Sequence, residues 1–281
     1  MIGRMSRPSI LGGLLATLAC LLLPLAVLST WTATVVGDTD AYVDTVAPLA
    51  KDPVVQEAAA ARTVELVNEQ VPLGPAGPAV HQAALLAVEG PQFPPVWRAA
   101  NRDAHKELLR ILQSDRPAKG DVTIQLGGLV TAIAESLGAG QLASTVSALN
   151  PTFTVASSQQ LEHARQVYTV LEALGAWLPL AWVVLVLLAL LAARNRRRIG
   201  AWLGIGSAVT LGLLLALLTL FEDQLVQSVP ARDRDLAQAV WDVVTHDLRN
   251  GVVVGIAVGL AVAVLFMVSG LVRRSAPART P

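Results

Sequence analysis

Three aspartates stand close together in GDTDAYVDTV, at Asp38, Asp40 and Asp44. Carboxylates at this spacing can hold a divalent cation, and DTDAYVD has the outline of a calcium loop. Such a loop needs Gly at its sixth position, for a sharp turn, and a bidentate Glu at its twelfth. Val43 and Leu49 occupy those places. The other reading is a helix start: Asp38 as N-cap and Asp40 in the first turn, where the helix dipole favours an anion. Asp40 and Asp44 then share one face, one turn apart, and can present a ligand or partner contact. Asn101 and His105 have the same spacing on a second amphipathic stretch, and Asp242 with His246 repeats it. Both read as solvated polar faces or as halves of a contact site. The histidines at 81, 105, 163 and 246 lack zinc-ligand spacing. No G-x-S-x-G, Walker loop, H-E-x-x-H or C-x-x-C is present. The sequence therefore assigns no catalytic, metal or cofactor-binding residue, expects no cofactor, and leaves enzyme activity as the weaker reading.

These residues sit in a chain dominated by apolar mass. Of 281 residues, 53% are hydrophobic and 15% charged, against roughly 25% charged in an average soluble domain. Cys20 is the single cysteine, so no internal disulfide can form. Four runs, 10–30, 174–193, 199–221 and 251–272, hold no Asp, Glu, Lys, Arg or His. A helix needs about 20 apolar residues to cross the hydrocarbon core, and each run is that long. Run 10–30 exceeds the roughly 7–15 apolar residues of a signal peptide. No good small-x-small cleavage site follows it, because Trp31 spoils the one ending at Ala33, so it reads as an uncleaved signal anchor.

Charge then orients the spans. Alternating the intervening pieces puts 1–9, 194–198 and 273–281 on one side, with nine arginines and no acid. The other side takes 31–173 and 222–250 and all 21 acids. By the positive-inside rule the termini and the RNRRR turn are cytoplasmic. Residues 31–173 form the extracytoplasmic domain, 222–250 a second outward loop with an amphipathic helix, and 273–281 a cytoplasmic tail. The outward domain carries fifteen acids against nine bases, a net charge of −6. That argues against nucleic acid as a partner. The absence of ionisable residues from all four runs argues against an ion or proton pathway.

Small residues mark where helices can approach. Gly251, Gly255 and Gly259 recur at every fourth position, as do Gly204, Ala208 and Gly212. Such stripes let backbones pack closely, within the chain or in a homodimer.

The outward domain reads as mainly helical. DPVVQEAAAARTVELVNEQ starts with Asp52 as cap and Pro53 in the first turn. VPLGPAGP reads as a loop, PAVHQAALLAVE as a short helix, and PVWRAANRDAHKELLRIL as an amphipathic helix with Trp97, Ala100, Ala104, Leu108 and Ile111 on one face. DVTIQL and TFTV are strand-like and can pair as a small two-stranded sheet flanking a helix near Leu129–Leu137. Ser157 and Gln160 form a capping box for a helix expected to run straight into the second span. In the outward loop, Leu236, Val240, Val243, Val244 and Leu248 repeat at helical spacing. The fold class is thus a membrane protein of four transmembrane helices with a helical, or α+β, extracytoplasmic domain between the first and second.

DTDAYVDTVAPLAKDPVVQ, VWRAANRDAHKELLRIL, LEHARQVYTVLEALGAWLPL and the RNRRR turn together resemble an uncharacterised group of actinobacterial integral membrane proteins with a large extracytoplasmic loop. The resemblance covers most of the chain. It implies four spans and a recurring pattern of Asp38, Asp40 and Tyr42 with Trp97, Asn101 and His105, and it carries no activity. The function expected from the residues is that of a non-enzymatic envelope protein in the lipid bilayer, whose outward domain binds a protein or envelope polymer through residues 38–172. The alternatives are a ligand sensor relaying to a cytoplasmic partner and a permease-like subunit of an ATPase-coupled complex.

Overall fold

In a computed structural model, the described residues are 7–70, 72–113, 122–125, 152–156, 165–166, 168–170, 173–175 and 177–272. The helix expected near Leu129–Leu137, the Ser157–Gln160 capping box and the tail 273–281 lie outside them. The chain divides into two compact units. The first comprises Met1–Ala33, Leu171–Phe221 and Thr245–Pro281, and the second Thr34–Val170 and Glu222–Val244.

Helix α1 spans Arg7–Trp31 and ends in a π-helical turn, Thr32–Val36. Its hydroxyls bond back to carbonyls of their own helix. Thr17 donates to Gly13 at 3.1 Å, and Ser29 and Thr30 both donate to Ala26 at 3.0 and 2.8 Å. This is how a polar side chain satisfies itself where no water is at hand. The later apolar helices are α6, Trp177–Ala192, α7, Arg196–Ser228, and α8, Arg234–Val272. Ala16, Ala19 and Cys20 of α1 form a buried seam with Ala189 and Leu203. Further along, Leu211 and Leu214 of α7 pack with Leu248 and Val252 of α8. The other faces of these helices are apolar and open: Leu14, Leu191, Leu217 and Leu265 are each more than 60% exposed. Among the described residues, three helices are long and apolar enough to cross a membrane, or four if one bent pair counts as a single span.

That bent pair changes the expected course of the chain. Tyr168–Gly175 and Trp177–Ala192 meet at 51°, where the sequence suggests one straight helix. Gly175 lies at the bend, where an added Cβ would stand 3.4 Å from both the Ala33 Cβ and the Ser29 carbonyl oxygen. A second difference concerns the outward loop. Its amphipathic stretch and the fourth apolar run are one unbroken helix, α8, because Gly251 is tolerated within it. Likewise α7 continues past Phe221 to Ser228.

The second unit opens with α2, Thr39–Val46, and a 3-10 turn, Ala47–Lys51. Helix α3, Pro53–Gln70, follows. Asp52 caps it, its carboxylate accepting from Val54 N at 2.8 Å. The Gln56 amide donates to the carbonyls of Ala50 and Val88 at 3.0 and 3.3 Å, tying α3 to both neighbours. The proline-rich stretch read as a loop contains a 3-10 turn, Gly74–Ala76, and the start of α4, Gly77–Glu89. Gly74 takes a φ of 49°, which a side chain would oppose, and Pro78 fits the first turn of α4, where no amide donor is needed. Helix α5, Phe93–Leu112, begins in the same manner with Pro94 and Pro95. Ala50, Ala60, Ala84, Val88 and Phe93 form one core. Val46, Leu49 and Val55 form another, covered by Tyr42, Trp97 and the α8 residues Leu236, Ala239, Val243 and Val244. Strands β1, Val122–Gln125, and β2, Thr152–Ala156, pair antiparallel.

Candidate contact site on helices α2 and α5

The aspartates begin α2 as N-cap and first-turn residues do. Asp38 has extended backbone angles, and its carboxylate accepts from Ala41 N at 2.8 Å. Its own carbonyl accepts from Tyr42 N at 3.0 Å, closing the first turn. Once α2 is set, Asp40 and Asp44 project one turn apart. Opposite them on α5 stand Arg102 and Arg98. Asp40 pairs with Arg102 at 2.8 Å, and Asp44 pairs with Arg98. The order reverses between the helices, so α2 and α5 run antiparallel across a two-rung ladder.

Behind the ladder lies His105. The sequence places it with Asn101 on a solvated polar face, but it is 3% exposed. Its ring stacks on Tyr42 with centroids 4.2 Å apart and planes 15° from parallel. Its Nδ1 meets the Thr39 hydroxyl at 3.1 Å, while its Nε2 is enclosed and, among the described residues, makes no hydrogen bond of good geometry. Burial pushes the imidazole pKa down from 6.5, against opposing pulls from the Val36 backbone and the Asp38 charge. The ring is thus neutral near neutral pH. Burial likewise pushes the Tyr42 hydroxyl up. Polar spacing misled the reading because an imidazole can bury one face on an aromatic ring while keeping a single bond. Asn101 turns to its own helix, donating to the Trp97 carbonyl at 2.9 Å. The Trp97 indole donates to the Val46 carbonyl at 3.0 Å, fixing the last turn of α2 to α5.

Among the described residues no three His, Cys, Asp or Glu side chains stand where they could hold a metal. The carboxylates of Asp38, Asp40 and Asp44 are occupied by an amide or a guanidinium, which makes the cluster a helix-to-helix brace with an exposed charged rim. His246, read with Asp242, meets the Asn250 amide on the following turn at 2.8 Å. Arg98, Arg102, Thr39 and Tyr42 complete the cluster. The spacing of the two arginines mirrors that of Asp40 and Asp44, a signal present in the sequence and not used there.

The small-residue positions fall into two sets. A Cβ on Gly204 would lie 2.5 Å from the Gly259 carbonyl, and one on Gly259 would lie 2.9 Å from the Gly204 carbonyl and 3.7 Å from the Ala208 Cβ. Gly255 faces Leu211 at 2.8 Å. These residues form a close α7–α8 crossing within the chain. Gly212 and Gly251, expected in the same stripes, have no atom within 4 Å of such a Cβ; the stripes turn away from the seam at those ends.

No family model, curated protein or solved structure matches this chain.

Proposed function

We propose that this is a multi-pass protein of the cell membrane with both termini cytoplasmic, whose extracytoplasmic domain, residues 31–173, docks a protein or polymer of the envelope without catalysing a reaction. Membrane residence is supported by the open leucine faces of α1, α6, α7 and α8. Orientation is supported by the nine arginines of 1–9, 194–198 and 273–281, which face no acid on their side. The observation that carries the docking role is the α2–α5 brace. Groups with the means to do chemistry are spent on holding two helices together, leaving a rigid surface with a charged rim of Asp40, Asp44, Arg98 and Arg102. A preorganised surface binds with less ordering cost than a flexible one.

Cross-linking the tagged full chain in its native membrane tests this reading. A partner captured through residues 38–172, and lost when surface charges on α2 and α5 are reversed at unchanged protein abundance, is the expected result. A chain that captures nothing through this domain contradicts it.

A further inference from the structure

The RNRRR turn between α6 and α7 is the densest run of like charge in the chain, and among the described residues no acid pairs with it. Arg194, Arg196 and Arg198 are exposed and Arg197 is half-buried. Among the described residues none of the four makes an ion pair. Residues 1–9 and 273–281, on the same side of the spans, contain arginines and no acid. With no acid beside it among the described residues or in residues 1–9 and 273–281, the turn is open to a counter-charge from outside the chain.

The placement says which outside source fits. Asn195 turns inward, its side-chain oxygen accepting from Arg198 N at 3.3 Å to begin α7. Arg196 is the first residue of α7, so its guanidinium stands at the positive end of the helix dipole. One turn further on from Arg198, Trp202 is 59% exposed at the start of the apolar stretch 199–221. An exposed indole one turn from an arginine marks the headgroup level of a bilayer. At the other end of α6, Trp177 is 68% exposed. The helix between it and Ala192 is about 24 Å long, short of a hydrocarbon core of about 30 Å by itself, so the ends of α6 lie within a few ångströms of the two headgroup zones. The arginines therefore stand where phosphate groups of the leaflet lie. The guanidinium fork matches a phosphate bidentately.

We propose that the Arg194–Arg198 turn is a binding surface for the headgroups of anionic phospholipids. The proposal rests on the membrane reading above but not on the outward domain having a partner. At least three guanidiniums act together, so the affinity gain over a zwitterionic lipid is on the order of a hundredfold, from about fivefold per charge.

The test uses the full chain in neutral detergent, stripped of lipid and titrated with phosphatidylglycerol or phosphatidylcholine, with bound lipid counted by native mass spectrometry. The chain is expected to retain phosphatidylglycerol selectively, and raised salt is expected to release it. Arg196→Gln/Arg197→Gln/Arg198→Gln should lose the selectivity, and the corresponding triple Lys variant should keep part of it. Equal retention of the two lipids by the unaltered chain overturns the proposal without relying on any variant that fails to fold. Selectivity unchanged in a folded triple Gln variant, or abolished by inorganic phosphate at modest concentration, also overturns it. Orientation does not enter this assay. It is read separately by impermeant labelling of Asn195→Cys, so an inverted topology and an absent lipid site give different results.

Discussion

The α7–α8 crossing gives a prediction with its own internal control. Replacing Gly204 by Ala puts a methyl group 2.5 Å from the Gly259 carbonyl oxygen, 2.8 Å from Ala263 N and 2.9 Å from its Cβ. Ordinary contact begins near 3.4 Å, and the atoms in the way are largely backbone, which cannot swing aside. The helices must part by about 0.9 Å. A radial gap of roughly 0.5–1 Å forfeits a quarter to a half of the dispersion energy of each contact along the seam. Overpacking of this kind costs about 1–3 kcal/mol. The gain in helix propensity from Gly to Ala, at most about 1 kcal/mol, offsets part of it. Gly204→Ala should therefore destabilise by about 1–2 kcal/mol. Gly251→Ala should be neutral or slightly stabilising, because its Cβ meets nothing within 4 Å. Unfolding of the full chain in mixed micelles, titrated with a denaturing detergent and followed by tryptophan fluorescence, measures both. Equal shifts for the two variants would refute the assignment of Gly204 to a close crossing.

Other expectations follow from the α2–α5 cluster. His105 has a folded pKa below its unfolded value of 6.5, so the unfolded chain takes up the proton first as pH falls. Stability contributed by the neutral ring is fully present above 6.5 and is lost as pH drops below it, by at most about 1.4 kcal/mol per pH unit. Denaturant melts at stepped pH, with His105→Phe as the insensitive comparison, measure this. Asp40→Asn should cost less than about 1 kcal/mol, because Asp40 is largely exposed and Arg102 partly so, and water screens the pair. A complete loss of folded protein in an abundance assay would contradict that. Trp97→Phe removes the bond to the Val46 carbonyl while keeping much of the packing and should cost about 1 kcal/mol in the same melts. Asp38→Ala, which uncaps α2, should cost about 1 kcal/mol, with Asp38→Ser recovering most of it.

What the sequence revealed depends on the range of the physics involved. The apolar helices were legible because membrane crossing is a property of composition over some twenty consecutive residues. The Asp38 and Asp52 caps were legible because a cap involves residues two or three apart. Helix ends were less so: α8 passes through Asn250 and Gly251, where a change from charged to apolar residues looks like a boundary but leaves the backbone free to continue. The bend near Gly175 falls where the helix passes close to Ser29 and Ala33, contacts far away in the chain that local sequence does not announce. The same holds for His105. Its fate is decided by Tyr42 and Thr39, more than sixty residues earlier, and helix periodicity on α5 alone assigns it to the wrong face. Gly212 and Gly251 share the spacing of Gly204 and Gly259, yet only the crossing point of two helices decides which glycines touch.

The arrangement of the chain across the bilayer is the claim on which the rest depends, and cysteine accessibility in intact cells tests it most directly. Cys20 is buried in the α1 seam, so added cysteines report alone. Leu86→Cys, at a site 67% exposed in the domain proposed to face outward, should react with a membrane-impermeant maleimide in intact cells. Asn195→Cys, in the arginine turn, should react only after the membrane is opened. Labelling of Asn195→Cys in intact cells, or protection of Leu86→Cys until lysis, would contradict the account.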